Sequence, residues 1–124
     1  MAEIEVTISA LKNETALPVV IINHKSFVIY VNRAFEALFG WRSEEMIGET
    51  ITMIIPEEMR DAHHLGFSRF ITTGEARIMN QSLKLAAVNR AGEQFDAEHY
   101  IVAEKIDDQW QIGATIRPLS KGGE

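Results

Sequence analysis

The stretch Val28-Ile29-Tyr30-Val31-Asn32-Arg33-Ala34-Phe35 decides the reading of this chain. Four β-favouring apolar residues run into an asparagine, and the pattern changes there from strand to helix. Asn32 is a good helix N-cap, and Glu36 sits just inside the first turn. Ala34, Phe35, Leu38 and Phe39 then form an apolar stripe, and Gly40 ends the helix. Upstream, Leu17-Pro18-Val19-Val20-Ile21-Ile22 is a second apolar run. The polar turn Asn23-His24-Lys25-Ser26 separates it from Phe27-Val28-Ile29-Tyr30-Val31, so the two runs read as a hairpin. Pro18 belongs at the start of its strand or on an edge. Further out, Ile4, Val6 and Ile8 alternate like a strand while Ile4, Ile8 and Leu11 are spaced like a helix face; a short helix within 3–12 is the preferred reading.

Downstream, Ser43 is expected to cap a short turn containing Met46 and Ile47, closed by Gly48. Pro56 suits the first position of a longer helix, with Glu57 and Glu58 in its electropositive first turn. That helix is expected to run to about Thr72, with Gly74 as its stop. The remainder alternates as strands over about 76–88, 94–105 and 110–119. Asn89-Arg90-Ala91-Gly92 and Asp107-Asp108-Gln109 are the turns between them. Two strands, several short helices and a three-strand meander predict an α+β domain with helices on one side of a five-stranded sheet.

At 124 residues the chain is one domain with room for one pocket. Its formal charge of −6 lacks the basic footprint of a nucleic-acid binder. No apolar run reaches the length of a membrane span, and the acidic start Met1-Ala2-Glu3-Ile4-Glu5 is unlike a signal peptide, so a soluble cytoplasmic protein is expected. Cysteine is absent. That excludes disulfides, thiolate metal sites, cysteine catalysis, covalent c-type haem attachment and cysteinyl-flavin photochemistry. There is no nucleophile–base pair, metal cluster or phosphate loop, and Glu44-Glu45 and Asp107-Asp108 read as solvated charges. The expectation is a protein that is not an enzyme.

The element order and its motifs resemble the PAS family of sensory domains. The matching residues are Val28 to Phe35, Phe39-Gly40-Trp41, Ser43-Glu44-Glu45-Met46-Ile47-Gly48, Ile55-Pro56-Glu57-Glu58-Met59-Arg60, Thr73-Gly74-Glu75, Asn89 to Phe95, and Thr115-Ile116-Arg117. The likeness covers about 14–119, leaving 1–13 as an N-terminal cap or dimerisation segment and 120–124 as a linker-like tail. It implies a five-stranded antiparallel sheet of order 2-1-5-4-3 with helices enclosing a ligand pocket on one face. It also implies a sensory role, a downstream signalling domain or protein as partner, and frequent homodimerisation. Such pockets hold haem, flavin, a small organic metabolite or nothing. The apolar residues Ile4, Ile8 and Leu11, with Tyr100 and Val102 on the outward sheet face, favour self-association.

Among ligands, b-type haem sensing a diatomic gas or redox state is the preferred reading. Counting along the long helix puts His63 with Met59, Phe67 and Phe70 on one apolar stripe, while His64 groups with Arg60 and Ser68. A buried histidine stays neutral, and neutral imidazole is the form that ligates iron. Arg60 followed by His63, with Arg69 beyond, looks like the helix of haem-PAS oxygen-sensor kinases. The resemblance puts His63 at the proximal iron ligand, and Arg69 and Arg77 where cations approach the haem propionates. His63 also has a bland reading, as a packed core histidine. In strand 94–105, Phe95, Ala97, His99, Ile101 and Ala103 share the more apolar face. There His99 either ligates iron from the distal side, donates a hydrogen bond to bound gas, or is a satisfied core residue. The resemblance departs at Met79-Asn80-Gln81-Ser82-Leu83, where Gln81 and Leu83 stand at the distal Met and Arg positions. Ile78, Leu83 and Ile101 complete the expected wall, and Trp110, on a face with Ile112, Ala114 and Ile116, either offers its indole N–H or packs. A non-covalent flavin stacked on Trp41, an organic metabolite, or a cofactor-free dimerisation and relay module are the alternatives.

Overall fold

Asn32 joins the sheet to the first long element of the helical layer. In the computed structural model, which describes residues 7–74 and 81–119, its side chain is fully used. Oδ1 accepts from the amides of Val19 at 2.9 Å and Phe35 at 3.0 Å. Nδ2 donates to the carbonyls of Leu17 at 2.8 Å and Glu14 at 3.0 Å. One buried amide thus caps a helix and ties down the segment entering the first strand.

The strands are β1 (Val19–Ile22), β2 (Val28–Val31), β3 (Gln81–Val88), β4 (Gln94–Ile106) and β5 (Gln109–Pro118). They form one antiparallel sheet of order β2-β1-β5-β4-β3, the expected topology. The helices are α1 (Ile8–Lys12), α2 (Arg33–Phe39), α3 (Ser43–Met46) and α4 (Arg60–Thr73), with 3-10 turns at Ile51–Ile54 and Glu57–Met59. Gly40 closes α2 and Gly74 closes α4 in left-handed conformations, φ 78° and 73°, which glycine alone adopts cheaply.

Two apolar layers flank the sheet. On the inner face, the register Gln81–Ile101–Ala114–Val20–Val31 crosses all five strands. Phe35, Phe39, Met46, Ile51, Ile54 and Phe70 pack over that face. On the outer face, Val102, Gly113, Ile21 and Tyr30 form the corresponding row. The side chains of Ile8 and Leu11 lie over Gly113, where a Cβ would collide with Leu11 Cδ1. Both are almost fully buried, 2% and 1% exposed. Burying each from water stabilises the chain by about 1.5–3 kcal/mol. Thr7 caps α1 by accepting from Ala10, Glu104 accepts from the Ile8 amide at 2.9 Å, and Tyr30 donates to the Lys12 carbonyl.

Several expectations change. Ile8, Leu11, Val102 and Tyr100 are apolar because they meet one another across the chain's own sheet. Ile4 lies outside the described residues, as does the first part of the strand expected from 76. Arg42, not Ser43, is the residue before α3; its amide is taken by Glu45 Oε1, and the Ser43 amide by Glu36 Oε2. The long helix begins at Arg60 rather than Pro56, because Glu57–Met59 winds as a 3-10 turn. Arg60 Nε then donates to the Ile55 carbonyl, fixing that junction.

Candidate functional site

Helix α4 is fastened to the core by its C-terminal half. Phe70 is buried, and Phe67 and Ile71 pack partly against the same inner-face cluster. The N-terminal half carries more open apolar surface: Leu65 is 69% exposed. Met59, expected on the buried stripe, is 42% exposed. Its place in the 3-10 turn takes it off the α-helical spacing that was to align it with His63.

His63 does sit on the inward side of α4, half-buried, with its ring stacked on Phe67 at 6.0 Å between centroids. Its Nε2 is buried and makes no hydrogen bond among the described residues. Burial pushes the imidazole below its ordinary 6.5, and the adjacent His64 adds to the shift. His63 is thus held neutral while one ring nitrogen has no protein partner. His64 is exposed and touches His63 edge-on at 5.8 Å.

Across the layer, His99 lies on the inner face of β4 and is 9% exposed. Its cross-strand neighbours are Leu83 on β3 and Ile116 on β5, and Ala97 and Ile101 flank it along the strand. Its Nδ1 lies 3.1 Å from the Ala97 carbonyl oxygen. Burial lowers the His99 pKa, partly opposed by that carbonyl. So β4 has the register that the alternation predicts, and Phe67 beside His63 and Ala97, Ile101 and Ile116 beside His99 belong to one core cluster that also includes Phe70, Ala103 and Trp110.

The remaining residues are distributed around this centre. Leu83 and Ile101 are half-buried, and Gln81, opposite Ile101, is exposed. Arg69 is exposed. Arg77 and Ile78 lie outside the described residues. Trp110 is partly buried and packs on Phe70 at 4.8 Å, and Lys105 Nζ lies 5.6 Å from the centroid of its ring. Trp41, the residue considered for a flavin, instead stacks with the Arg90 guanidinium at 5.1 Å. It borders a shallow cleft of about 330 Å³ with Glu36, Gly40, Arg42 and Glu44, a lining that shares no residue with the two-histidine region. Leu85, on the same face of β3 as Leu83 but 36% exposed, extends that apolar row beyond the residues the sequence motifs point to. Counting two residues on from Leu83 would have found it.

A haem needs an apolar slot and a neutral imidazole nitrogen free of other bonds. His63 meets the second condition with its unpartnered Nε2, and Phe67, Leu83 and Ile101 supply apolar surface. The donor nitrogen and the apolar side chains present therefore have the chemistry that such a group requires. No group of three or more metal-ligating side chains occurs among the described residues, so bare-ion binding of the multi-ligand kind has no candidate there. No helix among them is long and apolar enough to cross a membrane.

Comparison with known proteins agrees with the fold. A family model described as the PAS fold matches residues 8–104. An uncharacterised protein of Azorhizobium caulinodans is 31% identical over 103 residues, 82% of this chain and 14% of the relative. The oxygen sensor protein DosP of Escherichia coli is 35% identical over 75 residues, 60% of this chain and 9% of DosP. The sensor protein FixL of Bradyrhizobium diazoefficiens is 29% identical over 76 residues, 61% of this chain and 15% of FixL. The chain therefore spans less than a sixth of these relatives' lengths. Among solved structures, the Rhodobacter sphaeroides LOV protein superposes with TM-score 0.70 at 11% identity, covering 92% of this chain and 65% of that one. With the observed strand order and the match over most of its length, this chain belongs to the PAS family.

Proposed function

We propose that this PAS domain is a haem-based sensor of a diatomic gas or of redox state, with His63 as the proximal ligand. The observation that carries the reading is the buried, neutral and unpartnered Nε2 of His63 on α4. Similarity to a protein named as an oxygen sensor supports it. When bound, a b-type haem supplies reversible gas binding and one-electron redox chemistry at its iron. The chain's part is to present His63 as a neutral donor stacked on Phe67, to offer the apolar surface of Leu83 and Ile101 from the sheet, and to exclude water from the inner face. Arg69, and Arg77 on the segment that follows α4, are the cations for the propionates.

The output is a change in this domain that reaches an adjoining signalling domain or a second copy of the chain, in the cytoplasm. The outer sheet face and α1 are the natural route, because β4 presents His99 inward and Val102 to α1. The test is an absorption spectrum of the purified protein from about 350 to 600 nm, before and after adding haemin. A sharp Soret band at one haem per chain is expected. A flavin spectrum, or no saturable haemin binding, would contradict the reading in favour of a flavin, metabolite or cofactor-free relay domain.

A further inference from the structure

Resting on the haem reading above, we infer that His99 is a second axial ligand, and that it closes the distal position against incoming gas rather than steadying bound gas by donating a hydrogen bond. The argument is one of proton placement. His99 Nδ1 lies 3.1 Å from the Ala97 carbonyl oxygen, and a backbone carbonyl only accepts. Nδ1 must therefore carry the ring proton. The residue is buried on an apolar face between Leu83, Ile116, Ala97 and Ile101, where a neutral ring is favoured. A neutral imidazole has one N–H, so Nε2 is left as a bare lone pair.

A lone pair cannot donate to a gas. It can bind a metal, and an Nδ1–H bond to a backbone carbonyl is the outer-shell contact that orients a ligating histidine and raises its basicity. The β4 backbone thus prepares His99 as a ligand, in the way that a carbonyl accepting the other ring N–H orients a metal-binding histidine. An aliphatic residue in that row would leave the distal side open. With the group bound, a gas would have to displace His99 Nε2, and its apparent affinity would be the open-site affinity multiplied by the fraction of molecules in which His99 is detached.

The proton placement is checked on protein prepared without haem, by nitrogen-15 NMR of the histidine rings. A protonated Nδ1 and a pyridine-type Nε2 at His99 are expected; the reverse tautomer overturns the inference. On haem-loaded protein, wild type should be six-coordinate and low-spin in both oxidation states. His99→Leu and the polar control His99→Gln should lose that signature, and carbon monoxide should bind His99→Leu about tenfold faster or more. In wild type the observed binding rate should level off with carbon monoxide concentration, a measurement that needs no variant. A five-coordinate wild type, or a low-spin spectrum unchanged in both variants, overturns the role of His99 while leaving a haem at His63. Absence of any Soret band overturns the haem reading itself.

Discussion

The rings of Phe70 and Trp110 stand 4.8 Å apart at 57°, and this contact fastens the C-terminal half of α4 to β5. Gly74, the C-cap of α4, lies beside the same indole. The helix is therefore anchored at one end, and the segment from Met59 to Leu65 carries the more exposed apolar surface. Phe70→Ala should destabilise the domain by about 3–5 kcal/mol, as truncating buried aromatics does. Met59→Ala should stay within about 0.5 kcal/mol, as at other exposed positions. Urea unfolding measures both, and comparable losses would show that Met59 is buried after all.

Asn32 holds four backbone groups with one side chain. Asn32→Ala leaves the buried Val19 amide without its side-chain acceptor and removes the α2 cap. The expected cost is about 2 kcal/mol or more. Asn32→Asp keeps the acceptor but sets a carboxylate against the Glu14 and Leu17 carbonyls, so it should rescue only part. Full rescue by Asp would mean that the two Nδ2 bonds contribute nothing.

Gly113 is the notch that lets α1 lie on the sheet. A methyl group there meets Leu11 Cδ1, with Ile21 and Ile8 atoms each at 3.3 Å. Gly113→Ala should cost about 1–3 kcal/mol by overpacking. In a Leu11→Ala background most of that cost should vanish, because the colliding atom is gone. Additive losses in the double-mutant cycle would place α1 elsewhere.

His63 and His99 both titrate below the ordinary 6.5, chiefly because burial disfavours the cation. Between the folded and ordinary values the unfolded chain binds more protons than the folded one. Stability is therefore full above pH 6.5 and declines as the pH falls below it, towards the lowered folded-state values. Denaturant midpoints of haem-free protein at stepped pH should show this fall. The double variant His63→Phe, His99→Leu should show a shallower one, and identical slopes would mean that neither ring is buried.

The parts of the fold with local signals were readable from the chain. Asn32 and Gly40 mark the ends of α2, and the period of two through Phe95–Ala103 places His99 on the inward face. Met59 went astray because Pro56-Glu57-Glu58 looks the same at the head of a 3-10 turn as at the head of an α-helix. Each 3-10 step turns about 120° rather than 100°, enough to move Met59 off the stripe. The docking of α1 was hidden for another reason: an apolar stripe says that it must be covered, not by what. Gly113 in mid-strand was the available hint of a close approach. The proton on His99 Nδ1 had no signature at all, since it depends on where the ring lies relative to its own backbone.

The most direct test of the central claim is haem content per chain in wild type, His63→Ala and His64→Ala, each purified after the same haemin loading and checked for folding by circular dichroism. The two histidines are neighbours in sequence but differ in burial: His63 offers an unpartnered inward nitrogen and His64 is exposed. The account predicts about one haem per chain in wild type and His64→Ala, and loss of stoichiometric haem in a folded His63→Ala. Equal haem content in wild type and His63→Ala would contradict it.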